Sequence, residues 1–171
     1  MKNHFELFGL KPAYALEAES LERSYRDIQS QIHPDRYARA GDAERRASMQ
    51  WTTRVNEAYR TLRSPVRRAK YLLELHGVDL AFETNTAMPR EFLMQQLELR
   101  EALELAIAER DRGALERLRT GLGGDRRALE AMLADRIDGK QDYAGAKELV
   151  RKLMFLERLD AEIDAAFEAI E

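Results

Sequence analysis

The chain has 171 residues, of which 44% are hydrophobic and 35% are charged, and its formal net charge is −3 at pH 7. No apolar run approaches the roughly 18 residues that a membrane-spanning helix needs. The N-terminus has no sustained apolar region, so we expect no signal peptide. Because cysteine is absent, disulfides, thiol redox chemistry and thiolate ligation of zinc or an iron–sulfur cluster are excluded.

Charge is distributed unevenly along the chain. Residues 1–76 contain 14 basic and 10 acidic side chains, whereas residues 77–171 contain 14 basic and 21 acidic ones. Charged surfaces of opposite sign steer encounters with different partners and exclude others. We therefore expect the two halves to bind different partners, although charged helix faces also serve solubility alone.

The N-terminal half is predicted to contain two long amphipathic helices that pair. The first begins near Ala18, and its apolar residues recur with helical spacing at Leu21, Tyr25, Ile28 and Ile32. The second ends before Pro65, and its inward face is formed by Ala47, Trp51, Val55, Ala58, Tyr59 and Leu62. Each apolar stripe must be buried and the other helix is the nearest apolar surface, so we expect an antiparallel hairpin. The opening residues are expected to pack across it: Phe5, Leu7, Phe8 and Leu10.

The break between these two helices is the polar segment at residues 32–36. A proline disfavours the α conformation at the residue before it, so the first helix should stop at His33. His33 and Asp35 then flank Pro34 at the tip of the hairpin. We expect this tip to be exposed to solvent.

The second half is predicted to be a helical bundle. A further helix begins at Pro65 and stops at Gly77, which places the first domain at residues 1–76. Residues 77–89 are predicted to be a linker, and residues 90–171 contain three long helical patterns. We therefore predict an all-α fold, with an N-terminal helical hairpin and a C-terminal antiparallel three-helix bundle.

The middle helix of the bundle contains two adjacent glycines. It begins near Asp111 and continues past Gly123 and Gly124. Each glycine destabilises a helix interior by ~1 kcal/mol relative to alanine. We expect a weak point or a bend at this pair, within one helix.

The first helix of the bundle has apolar residues on two sides. At 100° per residue, Leu99, Leu103 and Ala106 lie within roughly 40° of Phe92, and this stripe is expected to face the core. Leu93, Met94 and Leu97 point elsewhere, beside acidic residues. On the third bundle helix, which starts near Asp142, Phe155 lies roughly 100° or more away from the apolar stripe.

These off-stripe side chains have two interpretations that the pattern leaves open. If they form one exposed patch ringed by acids, they suit the binding of a partner, to which flexible methionine adapts. Burying each side chain contributes ~1.5–3 kcal/mol, so three or four would anchor a micromolar complex. Alternatively, the cluster packs against the N-terminal domain and fixes the angle between the two domains.

Several motifs resemble those of known families. A helical hairpin with His33-Pro34-Asp35 at its tip, followed by NEAY at residues 56–59 and LRSP at 62–65, resembles a J-domain, the module by which co-chaperones engage a DnaK-type chaperone. Similarity to the HscB family, the J-proteins of iron–sulfur cluster biogenesis, extends to FELFGL at 5–10, RAKYLL at 68–73, HG at 76–77 and FLMQQLELRE at 92–101. The likeness covers essentially the whole chain.

The resemblance implies a binding site on each domain. An HscA-like ATP-dependent chaperone is expected to contact the tip and the outer face of the preceding helix, through His33, Pro34, Asp35, Arg36, Arg23 and Arg26. The cluster scaffold IscU is expected to contact the bundle through Leu93, Met94, Leu97, Glu98, Glu101, Glu104 and Phe155. Arg36 stands where many J-domains have lysine, so its contact geometry need not transfer. For Arg23 and Arg26, a plain solvated helix face is the alternative.

The implied function is that of a co-chaperone, not an enzyme, which delivers the scaffold to its chaperone and stimulates ATP hydrolysis without a cofactor, in a bacterial cytoplasm. The alternative is a general J-protein that holds unfolded clients. A catalytic role for His33 and Asp35 is disfavoured, because a solvated tip offers no water-excluding pocket. The three histidines have no paired-ligand spacing, so no metal site is expected, and an acidic chain without a reading motif disfavours nucleic-acid binding.

Overall fold

The computed structural model describes residues 2–80 and 88–170. Seven α-helices lie within these ranges: α1 (His4–Leu7), α2 (Ala18–Ile32), α3 (Asp42–Arg63), α4 (Pro65–Leu75), α5 (Arg90–Ala108), α6 (Arg112–Ala134) and α7 (Tyr143–Ile170). A 3₁₀ turn occupies Pro34–Tyr37, and a π turn occupies Asp135–Gly139. The described residues contain no β-strand, and the predicted all-α fold is confirmed.

The chain divides into two compact units, residues 1–72 and 73–171. The predicted linker, residues 77–89, includes residues 81–87, which lie outside the described part of the chain. The linker and the predicted domain limits at residues 76 and 90 stay predictions.

The first unit is built on the paired helices α2 and α3. Tyr25 of α2 stacks on Tyr59 of α3 with ring centroids 3.9 Å apart, and its hydroxyl donates to Asn56 Oδ1 at 2.7 Å. At the other end of the pair, the Ser48 hydroxyl of α3 donates to the Ile32 carbonyl of α2 at 2.9 Å. These contacts join the end of α2 to the start of α3, so the two helices form the predicted antiparallel hairpin.

Helix α1 and the first turns of α4 complete the core of this unit. Phe5 is fully buried, as expected for the apolar opening of the chain. The His4 backbone N–H donates to the Tyr71 hydroxyl at 3.0 Å, which links α1 to α4. Arg68 Nη1 donates to the Leu62 carbonyl at 2.7 Å, which fixes the start of α4 against the end of α3.

The predicted inward face of α3 was wrong at its N-terminal end. Ala47 is exposed, and Trp51 is 37% exposed, with the Arg54 guanidinium 5.5 Å from its ring centroid. Because Ser48 lies opposite the last carbonyl of α2, residues of α3 before Ser48 extend past α2 and are not covered by it. Trp51, on the next turn, lies at the margin of the interface.

Successive helices of the second unit run antiparallel, as predicted for a three-helix bundle. Arg126 of α6 lies 3.8 Å from Asp160 of α7, and Arg119, earlier in α6, pairs with Asp164, later in α7. Helices α5 and α6 are joined by a short turn at residues 109–111. Helices α5 and α7 therefore run in the same direction.

The core of the bundle is apolar, and its buried residues are Phe92, Leu103, Ala106, Leu115, Leu122, Phe155, Leu156, Leu159, Ile163 and Ala166. Helix α6 is continuous through Gly123 and Gly124. The π turn, Asp135–Gly139, follows directly after α6. The irregularity in this part of the bundle therefore lies after α6, and not at the glycine pair where we expected it.

Metal clusters and membrane spans are both missing from the described part of the chain. Residues 2–80 and 88–170 contain no group of three or more His, Cys, Asp and Glu side chains arranged to hold a metal ion. In the same ranges, no helix combines the length and the apolarity that crossing a bilayer requires.

Candidate functional site

The tip of the α2–α3 hairpin contains His33, Pro34 and Asp35. His33 is the C-cap of α2, and Pro34 opens the 3₁₀ turn that follows. The side chains of His33 and Asp35 are 58% and 91% exposed, as we expected for the tip of the hairpin. Such exposure suits contact with another protein, whereas acid–base catalysis needs a pocket that excludes water.

A local hydrogen bond orients the imidazole of His33. The backbone N–H of Asp35 lies 3.3 Å from Nδ1, and the Asp35 carboxylate lies 3.5 Å from the same nitrogen. A backbone N–H is always a donor, so Nδ1 is the acceptor in the neutral ring and Nε2 carries the proton. The tip therefore presents an N–H donor next to a carboxylate.

Side chains of α3 fix the position of the tip. A helix leaves its last carbonyls without partners inside the helix. At the end of α2, the Ile32 carbonyl instead accepts from Ser48 Oγ at 2.9 Å and from Thr52 Oγ1 at 3.4 Å. The last carbonyl before His33 is thus held by side chains of α3.

Three predicted basic contacts, Arg23, Arg26 and Arg36, are all exposed. Arg26 pairs with Glu22 one turn earlier, whereas Arg23 has no ion-pair partner among the described residues. Ten residues of helix place Arg23 about 15 Å from His33 along the α2 axis. The structure therefore brings only Arg36 to the tip itself, and the roles of Arg23 and Arg26 stay predictions.

The predicted scaffold-binding residues of α5 form an exposed apolar ridge with an acidic margin. Leu93, Met94 and Leu97 are 43%, 49% and 55% exposed, and the predicted two-sided pattern of α5 is confirmed. The acidic members are also exposed: Glu98, Glu101 and Glu104. We refer to these six residues as the α5 patch.

The prediction that Phe155 belongs to the exposed surface was wrong. Its side chain is 7% exposed, and its ring meets that of Phe92 edge to face, with centroids 5.7 Å apart. Helix α7 packs against both α5 and α6, so its buried arc is wider than one stripe, and Phe155 occupies the part that faces α5. Phe155 therefore supports α5 from inside the bundle, and we expect any effect on a partner to be indirect.

Replacing Phe155 with alanine is expected to destabilise the bundle. Loss of a buried phenyl ring removes apolar burial and leaves a cavity, which together lower the free energy of unfolding by about 3–5 kcal/mol. Chemical denaturation followed by far-UV circular dichroism measures this loss, and Phe155→Leu should lose less. Fluorescence of Trp51, the only tryptophan in the chain, reports on the first unit as a control. An unchanged free energy of unfolding would contradict the placement of this ring in the core.

A basic groove between α5 and α7 was not predicted. It has a volume of about 240 Å³, and its walls include Arg100, Arg151 and Arg158 beside Phe92 and Phe155. The sequence carried one signal for it, because Arg151 and Arg158 flank Phe155 at i−4 and i+3 and so share one side of α7. We refer to it as the α5–α7 groove.

Comparison with known protein families supports the predicted resemblance. The family model described as "HSCB C-terminal oligomerisation domain" matches residues 88–164. A curated relative from Burkholderia thailandensis, "Co-chaperone protein HscB homolog", is 53% identical over 169 residues. The match covers 99% of this chain and 96% of that relative.

Solved structures give the same result. "Chaperone HscB from Vibrio cholerae" superimposes with a TM-score of 0.88 at 33% identity, covering 99% of this chain and 100% of that chain. The human co-chaperone protein HscB superimposes with a TM-score of 0.90 at 25% identity, covering 96% of this chain and 81% of that chain. The similarity thus extends over both units, and the chain belongs to the HscB family of co-chaperones.

Proposed function

We propose that this protein is an adaptor, which delivers an IscU-like iron–sulfur cluster scaffold to an HscA-like chaperone and stimulates the ATPase of that chaperone. The observation that carries the proposal is the presence of two exposed surfaces on different units. The His33-Pro34-Asp35 tip is built by the first unit, and the α5 patch by the second. Each surface can therefore serve a separate partner.

The chemistry of the tip suits contact with the chaperone. His33 offers an N–H donor, Asp35 a carboxylate and Arg36 a cation, all of them exposed within four residues. Pro34 restricts the backbone between them. A bound protein changes the activity of its partner by favouring one conformation of that partner, so the adaptor itself makes or breaks no covalent bond.

The chemistry of the α5 patch suits a folded scaffold. Burial of Leu93, Met94 and Leu97 contributes ~1.5–3 kcal/mol for each side chain, which supports a micromolar complex once the costs of association are met. Methionine adapts its shape to the partner surface. The glutamates at the margin select a partner with complementary charge.

Binding both partners through one chain makes the second encounter intramolecular. The scaffold held by the α5 patch then meets the chaperone at a raised effective concentration. We place this activity in the bacterial cytoplasm, where the HscA-like chaperone hydrolyses ATP.

A general J-protein that holds unfolded clients is the second candidate, because exposed apolar residues such as Leu97 also suit extended chains. Calorimetric titration of the full chain with a purified IscU-like scaffold, and separately with a permanently unfolded protein, distinguishes the two. We expect saturable one-to-one binding of the folded scaffold and weaker binding of the unfolded chain. Equal affinity for both would overturn the adaptor proposal.

A further inference from the structure

The α5–α7 groove lies directly beside the α5 patch. Gln96 and Arg100 follow Leu93 and Leu97 by three residues, so they are neighbours of those leucines on the helix surface. Both Gln96 and Arg100 line the groove. A partner that covers Leu97 therefore also reaches the groove.

The groove is positively charged. Arg100, Arg151 and Arg158 line it, and none of its described lining residues is acidic. Arg100 is ion-paired with Glu162 at 3.1 Å. Arg158, in contrast, is exposed and has no ion-pair partner within residues 2–80 and 88–170. Among residues 2–80 and 88–170, therefore, nothing compensates the charge of Arg158 at the margin of the groove.

The groove is also partly apolar. Phe92 and Phe155 meet there at an interplanar angle of 88°, and the Arg100 guanidinium lies 5.7 Å from the Phe155 ring centroid. Nearby aromatic rings displace water, and the attraction between an arginine and a carboxylate is stronger where the local dielectric constant is lower. The planar guanidinium matches the two oxygens of a carboxylate.

We propose that the α5–α7 groove binds an acidic side chain of the scaffold and thereby sets the orientation of the scaffold on the bundle. The inference rests on the proposed function, because it requires that the scaffold covers the α5 patch. At 100° per residue, Glu101 and Glu98 lie about 100° and 160° away from Arg100, beyond Leu93 and Leu97, whereas Glu104 lies about 40° away. A scaffold docked in the reverse orientation would bring like charges together, which disfavours it.

A carboxylate fits the groove better than a polyanion does. Residues 77–171 contain 21 acidic against 14 basic side chains, and this negative field repels a chain of phosphates. Nucleic-acid binding also requires several cations along a track, whereas here the cations line one groove of about 240 Å³. A single acidic side chain can pair with an arginine of the groove without approaching the acidic surface of the bundle.

Titration of the full chain with the purified IscU-like scaffold tests the inference. We expect Arg158→Ala to weaken binding about three- to tenfold, Arg158→Glu to weaken it more and Arg158→Lys to weaken it less. The difference between the wild type and Arg158→Ala should shrink at high ionic strength, because salt screens partly exposed charges. Circular dichroism of each variant checks that the bundle is folded, as expected for a substitution at an exposed position.

Arg127→Glu is the matched control, because Arg127 is an exposed arginine on α6 and the substitution changes the net charge equally. The inference is wrong if Arg158→Glu binds the scaffold as tightly as the wild type, or if Arg127→Glu weakens binding as much. Leu97→Ala separates this failure from failure of the proposed function. If Leu97→Ala leaves scaffold binding unchanged, the proposed function itself is contradicted. If Leu97→Ala weakens binding and the Arg158 variants do not, only the role of the groove is contradicted.

A double-mutant cycle identifies the acidic group. Each acidic residue of the scaffold is neutralised in turn and combined with Arg158→Ala. The carboxylate that contacts Arg158 should give losses that are not additive, because either substitution alone already removes the contact. Additive losses for every acidic residue of the scaffold would overturn the inference.

Discussion

We expect His33→Gln to abolish the proposed stimulation of the HscA-like ATPase and to leave the affinity for the scaffold unchanged. The imidazole is 58% exposed and is held by the Asp35 backbone N–H, so its replacement removes an oriented donor without opening the core. A glutamine side chain is flexible and does not present the same donor at a fixed position. Single-turnover ATP hydrolysis by the chaperone measures the first effect, and calorimetric titration with the scaffold measures the second.

The same substitution at another histidine provides the control. His76 is exposed in the second unit, and His76→Gln should leave ATPase stimulation intact. If His33→Gln stimulates the chaperone as well as the wild type does, the tip is not the contact that we propose. Loss of scaffold binding in His33→Gln would instead show that the two surfaces do not act separately.

The second large effect is expected from α5. Changing Leu93 and Leu97 together to alanine should weaken scaffold binding about 100-fold, since truncation of a central apolar contact typically reduces affinity about tenfold or more. Both side chains are exposed, so the free energy of unfolding should change little. Calorimetric titration measures the affinity, and the variant should still stimulate the chaperone ATPase in the absence of scaffold.

Leu105 offers a matched control on the same helix. It is 58% exposed, compared with 55% for Leu97, but it lies at a different angle and lines a separate groove between α5 and α6. Leu105→Ala should therefore bind the scaffold with wild-type affinity, whereas Leu97→Ala should not. Equal losses in the two variants would mean that binding depends on the general apolarity of α5 and not on the α5 patch.

The exposed tip and the exposed side of α5 could be predicted because each depends on one element of the chain. Pro34 ends α2 by local backbone sterics, whatever packs nearby. Within α5, the helical period separates Leu93 and Leu97 from Phe92 and Leu103 without any knowledge of the other helices. Local rules were therefore sufficient for these exposures, while the partners of both surfaces stay a proposal.

The burial of Phe155 and the exposure of Trp51 could not be predicted in the same way. Each depends on which neighbouring helices lie beside the residue and where they end. Helix α7 contacts two helices, so a single-stripe rule underestimates its buried arc. Helix α3 extends past the end of α2, so the same rule overestimates the burial of Ala47, and Trp51, on the next turn, lies only at the margin of the interface.

Apart from the shared side of Arg151 and Arg158 on α7, the α5–α7 groove could not be predicted from the sequence, for a related reason. It depends on the register between two helices that run in the same direction and bring Phe92 against Phe155. Periodicity within one helix gives the angle of a residue but not its height against a neighbour. The clustering of Arg100 with Arg158 therefore appears only in the folded bundle.

The hydroxyl of Ser48 has a consequence for attempts to imitate the tip with a short peptide. It donates a hydrogen bond to the Ile32 carbonyl at 2.9 Å from the other helix of the hairpin. The position of residues 33–35 therefore depends on a side chain that a linear fragment lacks. A synthetic nonapeptide around Pro34 would sample many conformations in water, and it would have to lose that freedom before it could compete with the intact hairpin for the partner that we propose.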